Sequence, residues 1–180
     1  MGAATTIATP RRLGLPLRAL RDERLVGLAA AGDQDALAAI FERHHQALYR
    51  YCLALLGSAE DAEDALQNAM ARVVRALPGE TRELALKPWL YRIAHNETMR
   101  IAGRRRPQGS LEEAEEVAAR PDAENRETRE RLGALLADMR ELSERQRGAL
   151  VLRELEDASF AHIASVFGGS EAAARQTVYE

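Results

Sequence analysis

Ser58-Ala59-Glu60-Asp61-Ala62-Glu63-Asp64-Ala65-Leu66-Gln67-Asn68-Ala69-Met70-Ala71-Arg72-Val73 decides the fold class of this chain. Ala62, Ala65, Leu66, Ala69, Met70, Val73 and Leu77 recur at the three- and four-residue spacing that puts side chains on one face of an α-helix. Ser58 stands where an N-cap accepts a free backbone N–H, and Pro78-Gly79 stops the run. Polar residues fill the other side. Asp61, Asp64 and Asn68 share one line, with Glu63 and Gln67 beside it. Acidic groups in a first turn suit the helix dipole, so this face has a structural explanation as well as a functional one. The functional one is a docking surface for a basic partner helix.

The same period runs outward in both directions. Upstream, Leu25, Leu28 and Ala29 begin a helix at Asp22 that ends near Gly32-Asp33. A second covers about 35–56, with Leu37, Ile40, Phe41, His44, Leu48, Tyr51 and Leu55 on one side and Gly57 as its stop. Downstream, Pro88 opens a helix that carries Trp89-Leu90-Tyr91-Arg92-Ile93-Ala94-His95-Asn96 and then Arg104-Arg105-Arg106. Stacking rings, an amide and cations are the groups that hold unpaired bases beside a phosphate backbone, although an ordinary amphipathic helix also fits.

After Arg106 the period fails. Pro107-Gln108-Gly109-Ser110 opens a polar stretch with Glu112, Glu113, Glu115, Glu116, Asp122 and Glu124, which reads as a linker. Order is expected again near Arg129. Leu132, Leu135, Leu136 and Met139 line one helix, and Ser143 caps the next, with Ala149, Leu150 and Leu152 following. At the end, Ser159–Phe167 forms a short amphipathic helix and Gly168-Gly169-Ser170 a tight turn, and a last helix starts at Glu171. This is the outline of a helix-turn-helix, with a packed αα-hairpin as the alternative.

Composition sets the class. Ala, Leu, Glu and Arg dominate the 180 residues and β-branched alternation is absent, so the fold is all-α. Net charge is −3, which argues against a simple nucleic-acid binder. Its distribution says more. Residues 82–106 hold seven basic and two acidic groups, between acidic stretches on both sides. Such a mosaic implies several partners of different sign. One cysteine, Cys52, sits in an apolar helix, so it reads as a buried small hydrophobe in a reducing cytoplasm. No apolar run reaches membrane-span length, and residues 1–21, with four arginines, read as a flexible basic arm. His44, His45, His95 and His162 are scattered, no nucleophile setting or phosphate loop occurs, and no metal or cofactor site is expected. An enzyme is disfavoured.

Taken together, the acidic helix, the Trp89–Asn96 run with its basic end, the acidic linker and the terminal helix-turn-helix resemble a bacterial extracytoplasmic-function (group IV) sigma factor of the sigma-70 family, over about residues 22–180. The resemblance implies two small helical domains. One is a region 2-like bundle over 22–106, and the other a region 4-like helix-turn-helix over 128–180, with 107–127 as the acidic linker between them. It implies docking on core RNA polymerase, through the β′ and β subunits, by Asp61, Glu63, Asp64, Gln67 and Asn68. It gives −10 promoter recognition and melting to Trp89, Tyr91, Arg92, Asn96, Arg100, Arg104, Arg105 and Arg106, and −35 recognition to Arg175, Gln176 and Tyr179. An anti-sigma factor or a C-terminal regulatory domain is a further partner in such a family. The loop Glu80–Lys87 lacks the family's usual phenylalanine, His162 replaces an acidic residue, and Thr177 and Glu180 replace common arginines. The family pattern continues past Glu180, so C-terminal truncation is expected. The competing readings are a stand-alone helix-turn-helix transcriptional regulator and a helical scaffold that binds only protein.

Overall fold

The computed structural model of the protein describes residues 17–80, 83–104, 138–139 and 141–179. Those residues are helical, with no strand among them. Four helices make a first bundle: α1 (Asp22–Ala30), α2 (Gln34–Leu56), α3 (Ala59–Ala76) and α4 (Leu86–Ala102). Three more make the second: α5 (Glu144–Glu156), α6 (Phe160–Phe167) and α7 (Glu171–Tyr179). The expected linker, Arg105, Arg106 and most of the helix expected over 129–139 lie outside the described residues.

Local chemistry sets the boundaries. The Asp33 carboxylate accepts from the Ala36 N–H at 3.1 Å and starts α2. Gly57, at φ 71°, ends it in the left-handed conformation that an L-side chain resists, with its N–H on the Leu53 carbonyl. Ser58 then caps α3 as expected, accepting from the Asp61 N–H. Helix α4 begins two residues before Pro88, because Leu86 is buried and a proline in the first turn forfeits no intrahelical hydrogen bond.

Helix α2 is the hub, packing on α1, α3, α4 and α5. Leu25, Ile40, Leu48, Leu77 and Leu90 fill the first bundle, and Leu152 and Ile163 the second. Tyr51 and Tyr91 lie between, so one apolar core spans both bundles. Two details depart from expectation. Phe41 is 41% exposed and stacks on His45, because it lies at the margin of the α2 stripe, one residue round from the buried Ile40. The last residues of the expected basic arm join the fold: Leu17–Ala19 form a 3-10 turn, and the Arg43 guanidinium donates to the carbonyls of Arg18 and Leu20.

Candidate nucleic-acid and polymerase interfaces

Alanines make the α3 surface possible. Ala62, Ala65 and Ala69 are buried, so the helix sits close on its neighbours and turns its opposite side outward. Glu63, Asp64, Gln67 and Asn68 are exposed there. Asp61 is half-buried at the cap, and the Asn68 amide donates to the Asp64 carbonyl at 2.7 Å. The five residues expected to dock therefore lie along one side of a single helix. Unsatisfied N–H groups at its start favour the acids, so the face is compatible with stability as well as with binding.

Helix α4 distributes its candidates between surface and contact. Asn96 and Arg104 are exposed, and Trp89 is partly buried against the core. Tyr91 is only 1% exposed. Arg92 reaches the second bundle, where its guanidinium donates to the Ser165 carbonyl. Arg100 donates to Glu97, a carboxylate 1% exposed that also pairs with Arg72 of α3. This triad joins α3 to α4. Arg100 is thus tied to the protein rather than held out toward phosphate, and Tyr91 and Arg92 are covered or engaged where sequence reasoning left them open.

What covers them is α6. The Tyr91 ring meets the His162 ring edge-on at 5.7 Å, and the His95 ring meets Phe167 at 4.8 Å. The Tyr51 hydroxyl and His95 Nδ1 are hydrogen-bonded at 2.9 Å. Burial pushes His95 down to about 4, so the ring is neutral near pH 7. Burial and then Lys87 also lower His162, against the opposing pull of Glu156. Burial, and then the Glu156 carboxylate, holds the Tyr91 phenol above its ordinary range. At the rim, Arg50 donates to Glu156 at 2.9 Å.

Gly148 makes this approach possible. A Cβ there would lie 2.8 Å from Phe167 Cζ, 2.9 Å from the Tyr51 hydroxyl and 3.1 Å from His95 Cε1. Sequence reasoning missed Gly148, Tyr51, His95, His162 and Phe167 as one group. The available signal was a glycine inside a helix that needs no turn there, which marks close approach of another element.

The terminal motif has the expected geometry. Ser159 caps α6, and Gly168 and Gly169 take φ of 76° and 108°. Ser170 accepts from the Ala173 N–H at 3.1 Å and so starts α7. Arg175, Gln176 and Tyr179 line one open hollow with Glu171 and Ala172. Arg175 lies over the Phe160 ring at 4.9 Å, and Tyr179 is 73% exposed. Among the described residues, no cluster has the donors for a metal ion, and no helix is long and apolar enough to cross a membrane.

Comparison with known proteins gives this arrangement its class. Residues 40–108 match Sigma-70 region 2, and residues 132–180 match Sigma-70, region 4. The ECF RNA polymerase sigma factor SigM of Mycobacterium tuberculosis is 32% identical over 152 residues, spanning 83% of this chain and 75% of SigM. The RNA polymerase sigma-H factor of Pseudomonas aeruginosa is 31% identical over 160 residues, 81% of this chain and 82% of its own. The structure of CnrH in complex with the cytosolic domain of CnrY shares the fold, with a TM-score of 0.66 and 22% identity over 87% of this chain and 89% of that one. The chain belongs to the extracytoplasmic-function sigma factors of the sigma-70 family. Its function is promoter-specific transcription initiation with RNA polymerase, and the stand-alone regulator is not favoured.

Proposed function

We propose that this sigma factor divides its work between three surfaces. The outer side of α3, with Asp61, Glu63, Asp64, Gln67 and Asn68, docks on a basic helical element of core polymerase in the β′ subunit. Opposite charges on the two faces steer that encounter. Helix α4 reads the −10 element: Asn96 hydrogen-bonds an unpaired base, Tyr91 and Trp89 support it, and Arg92 with Arg104–Arg106 contacts phosphate. Helix α7 reads the −35 element through Arg175, Gln176 and Tyr179. The domain limits are those of the sequence reading, 22–106 and 128–180, with 107–127 between them. Polymerase supplies the covalent chemistry and the sigma factor supplies none.

One observation carries the division: exposed acids lie on α3, whereas the exposed amide of Asn96 and the exposed cation of Arg104 lie on α4. The weak cation content of α7, where Arg175 is partly held by Glu171 at 3.9 Å, implies that −35 affinity comes through the polymerase. Linked weak sites combine in that way. A protein inhibitor is the remaining partner in this reading, since CnrH, which shares the fold, is seen in complex with the cytosolic domain of CnrY.

The test is a pair of variants assayed in two steps. Asp64→Lys is expected to weaken co-purification with core polymerase by about tenfold, as like charges meet in the docked state. Asn96→Ala is expected to leave co-purification intact and to reduce opening of promoter DNA by about tenfold, as a lost base contact of 1–3 kcal/mol implies. Both variants failing at the same step would contradict separate faces.

A further inference from the structure

Between Glu171 and Tyr179, α7 carries a single cationic side chain, Arg175, which is 62% exposed. An arginine so placed samples many rotamers in water, and fixing it against a base edge costs entropy at the moment of binding. Here a neighbour orders it in advance. The guanidinium lies over the Phe160 ring, its central carbon 4.9 Å from the ring centroid, whereas Glu171, one turn back on α7, approaches it only to 3.9 Å. Phe160 belongs to α6, so it fixes the side chain relative to the helix-turn-helix rather than to α7 alone.

Phe160 is itself held in place. Ser159 accepts from the His162 N–H at 3.2 Å and makes Phe160 the first residue of α6. From α5, Arg153 lies over the same ring at 5.1 Å, and it is anchored by donating to the Ala158 carbonyl at 2.9 Å. The Tyr179 ring tilts against Phe160 at 5.9 Å. One half-buried phenyl therefore meets a fixed side chain of α5 and two of the proposed −35 readers.

We propose that Phe160 is a positioning residue for −35 recognition: the face of its ring orders the Arg175 guanidinium before DNA arrives. The proposal rests on the reading of α7 as the −35-reading helix. A guanidinium attracted through its face keeps the N–H donors of its own plane for the acceptors of a base edge. An aliphatic side chain of similar size would fill the same space, but it has no negative ring face to hold a cation. Glu171 alone would draw the guanidinium back along α7, and an exposed pair of that kind is weak. Order at Arg175 strengthens only the contact that Arg175 makes, so Phe160 acts on discrimination at one base pair rather than on DNA affinity as a whole.

The experiment uses the full chain in holoenzyme with core polymerase, and a promoter library randomised over the −35 element in front of a fixed −10 element. Phe160 is replaced by phenylalanines bearing one, two and three ring fluorines, which drain the ring face of electron density and change its size little. Transcript sequencing gives the discrimination at each base pair, and Arg175→Ala identifies the pair that Arg175 reads. Discrimination at that pair is expected to fall stepwise along the fluorine series, by about threefold at its end, as loss of an exposed cation–π contact implies. At the other pairs it should stay level. Phe160→Leu should fall at least as far as the end of the series, and Phe160→Tyr should keep the parent value because a phenol retains the negative ring face.

A series that is level at the Arg175-dependent pair would overturn the positioning role and leave −35 reading by α7 intact. An equal slope at every pair would overturn it too, since it would mark a change in the shape of the domain. Failure of the α7 reading itself would register separately, as an Arg175→Ala holoenzyme with the parent's −35 preference.

Discussion

Glu97 shows how a single residue links framework to function. It is buried in the middle of α4, yet Arg72 and Arg100 bracket its carboxylate, so the charge is compensated where it stands. A buried carboxylate without such partners would be strongly unfavourable. Glu97→Ala removes the α3–α4 clamp and leaves a void, while both arginines can turn to water. The expected loss is about 2 kcal/mol, below the usual cost of stranding a buried charge, and urea unfolding would measure it. Arg100 would be released by the same change, so the variant should bind mixed-sequence DNA at least as well as the parent protein once corrected for folding. None of this was legible in the sequence. Glu97 looked like one of two acids in a basic block, because its burial depends on Arg72, 25 residues earlier.

At the scale of elements the sequence was far more informative, because the signals are local. The α3 stripe, the caps Ser58 and Ser143, and the glycine stops follow from spacing and hydrogen-bonding chemistry that operate within a few residues, whereas Ser159, expected inside α6, is its cap. At α5 the box is complete: Ser143 Oγ accepts from the Gln146 N–H, and the Gln146 side chain accepts from the Ser143 N–H at 3.0 Å. Ser143→Ala is expected to destabilise the second domain by about 1 kcal/mol, read as a lower midpoint in thermal unfolding. Side chains at the edge of a stripe were harder to assign. Phe41 and Ile40 differ by one position, and only the directions from which α1, α3 and α4 approach α2 decide which one is buried.

The whole molecule is where the sequence was silent. Periodicity identifies an apolar face without naming what covers it, so α4 could be read as open to DNA while α6 lies upon it. Histidines in that contact make it sensitive to pH. His95 faces Tyr51, Phe167 and the backbone of Gly148, and no charged group offsets its burial. His162 faces Tyr91, Lys87 and Glu156. Once the chain unfolds, each ring regains an ordinary value of about 6.5. The folded form therefore binds fewer protons at these two rings. Its advantage is complete above about pH 6.5 and declines as pH falls from there toward the His95 value of about 4. Acidification from about pH 7 to about pH 5 should lower the midpoint of thermal unfolding, and His95→Gln, which does not titrate, should reduce that response.

Family membership, exposed acids on α3 and the readers proposed on α4 and α7 converge on one claim, that this chain gives core polymerase its choice of promoter. Run-off transcription tests it most directly, with purified core enzyme and a library of promoter fragments, with and without the chain. The account expects discrete transcripts from a subset of fragments only when the chain is present, lost with Asp64→Lys and with Asn96→Ala. Transcription that is the same with and without the chain would contradict it.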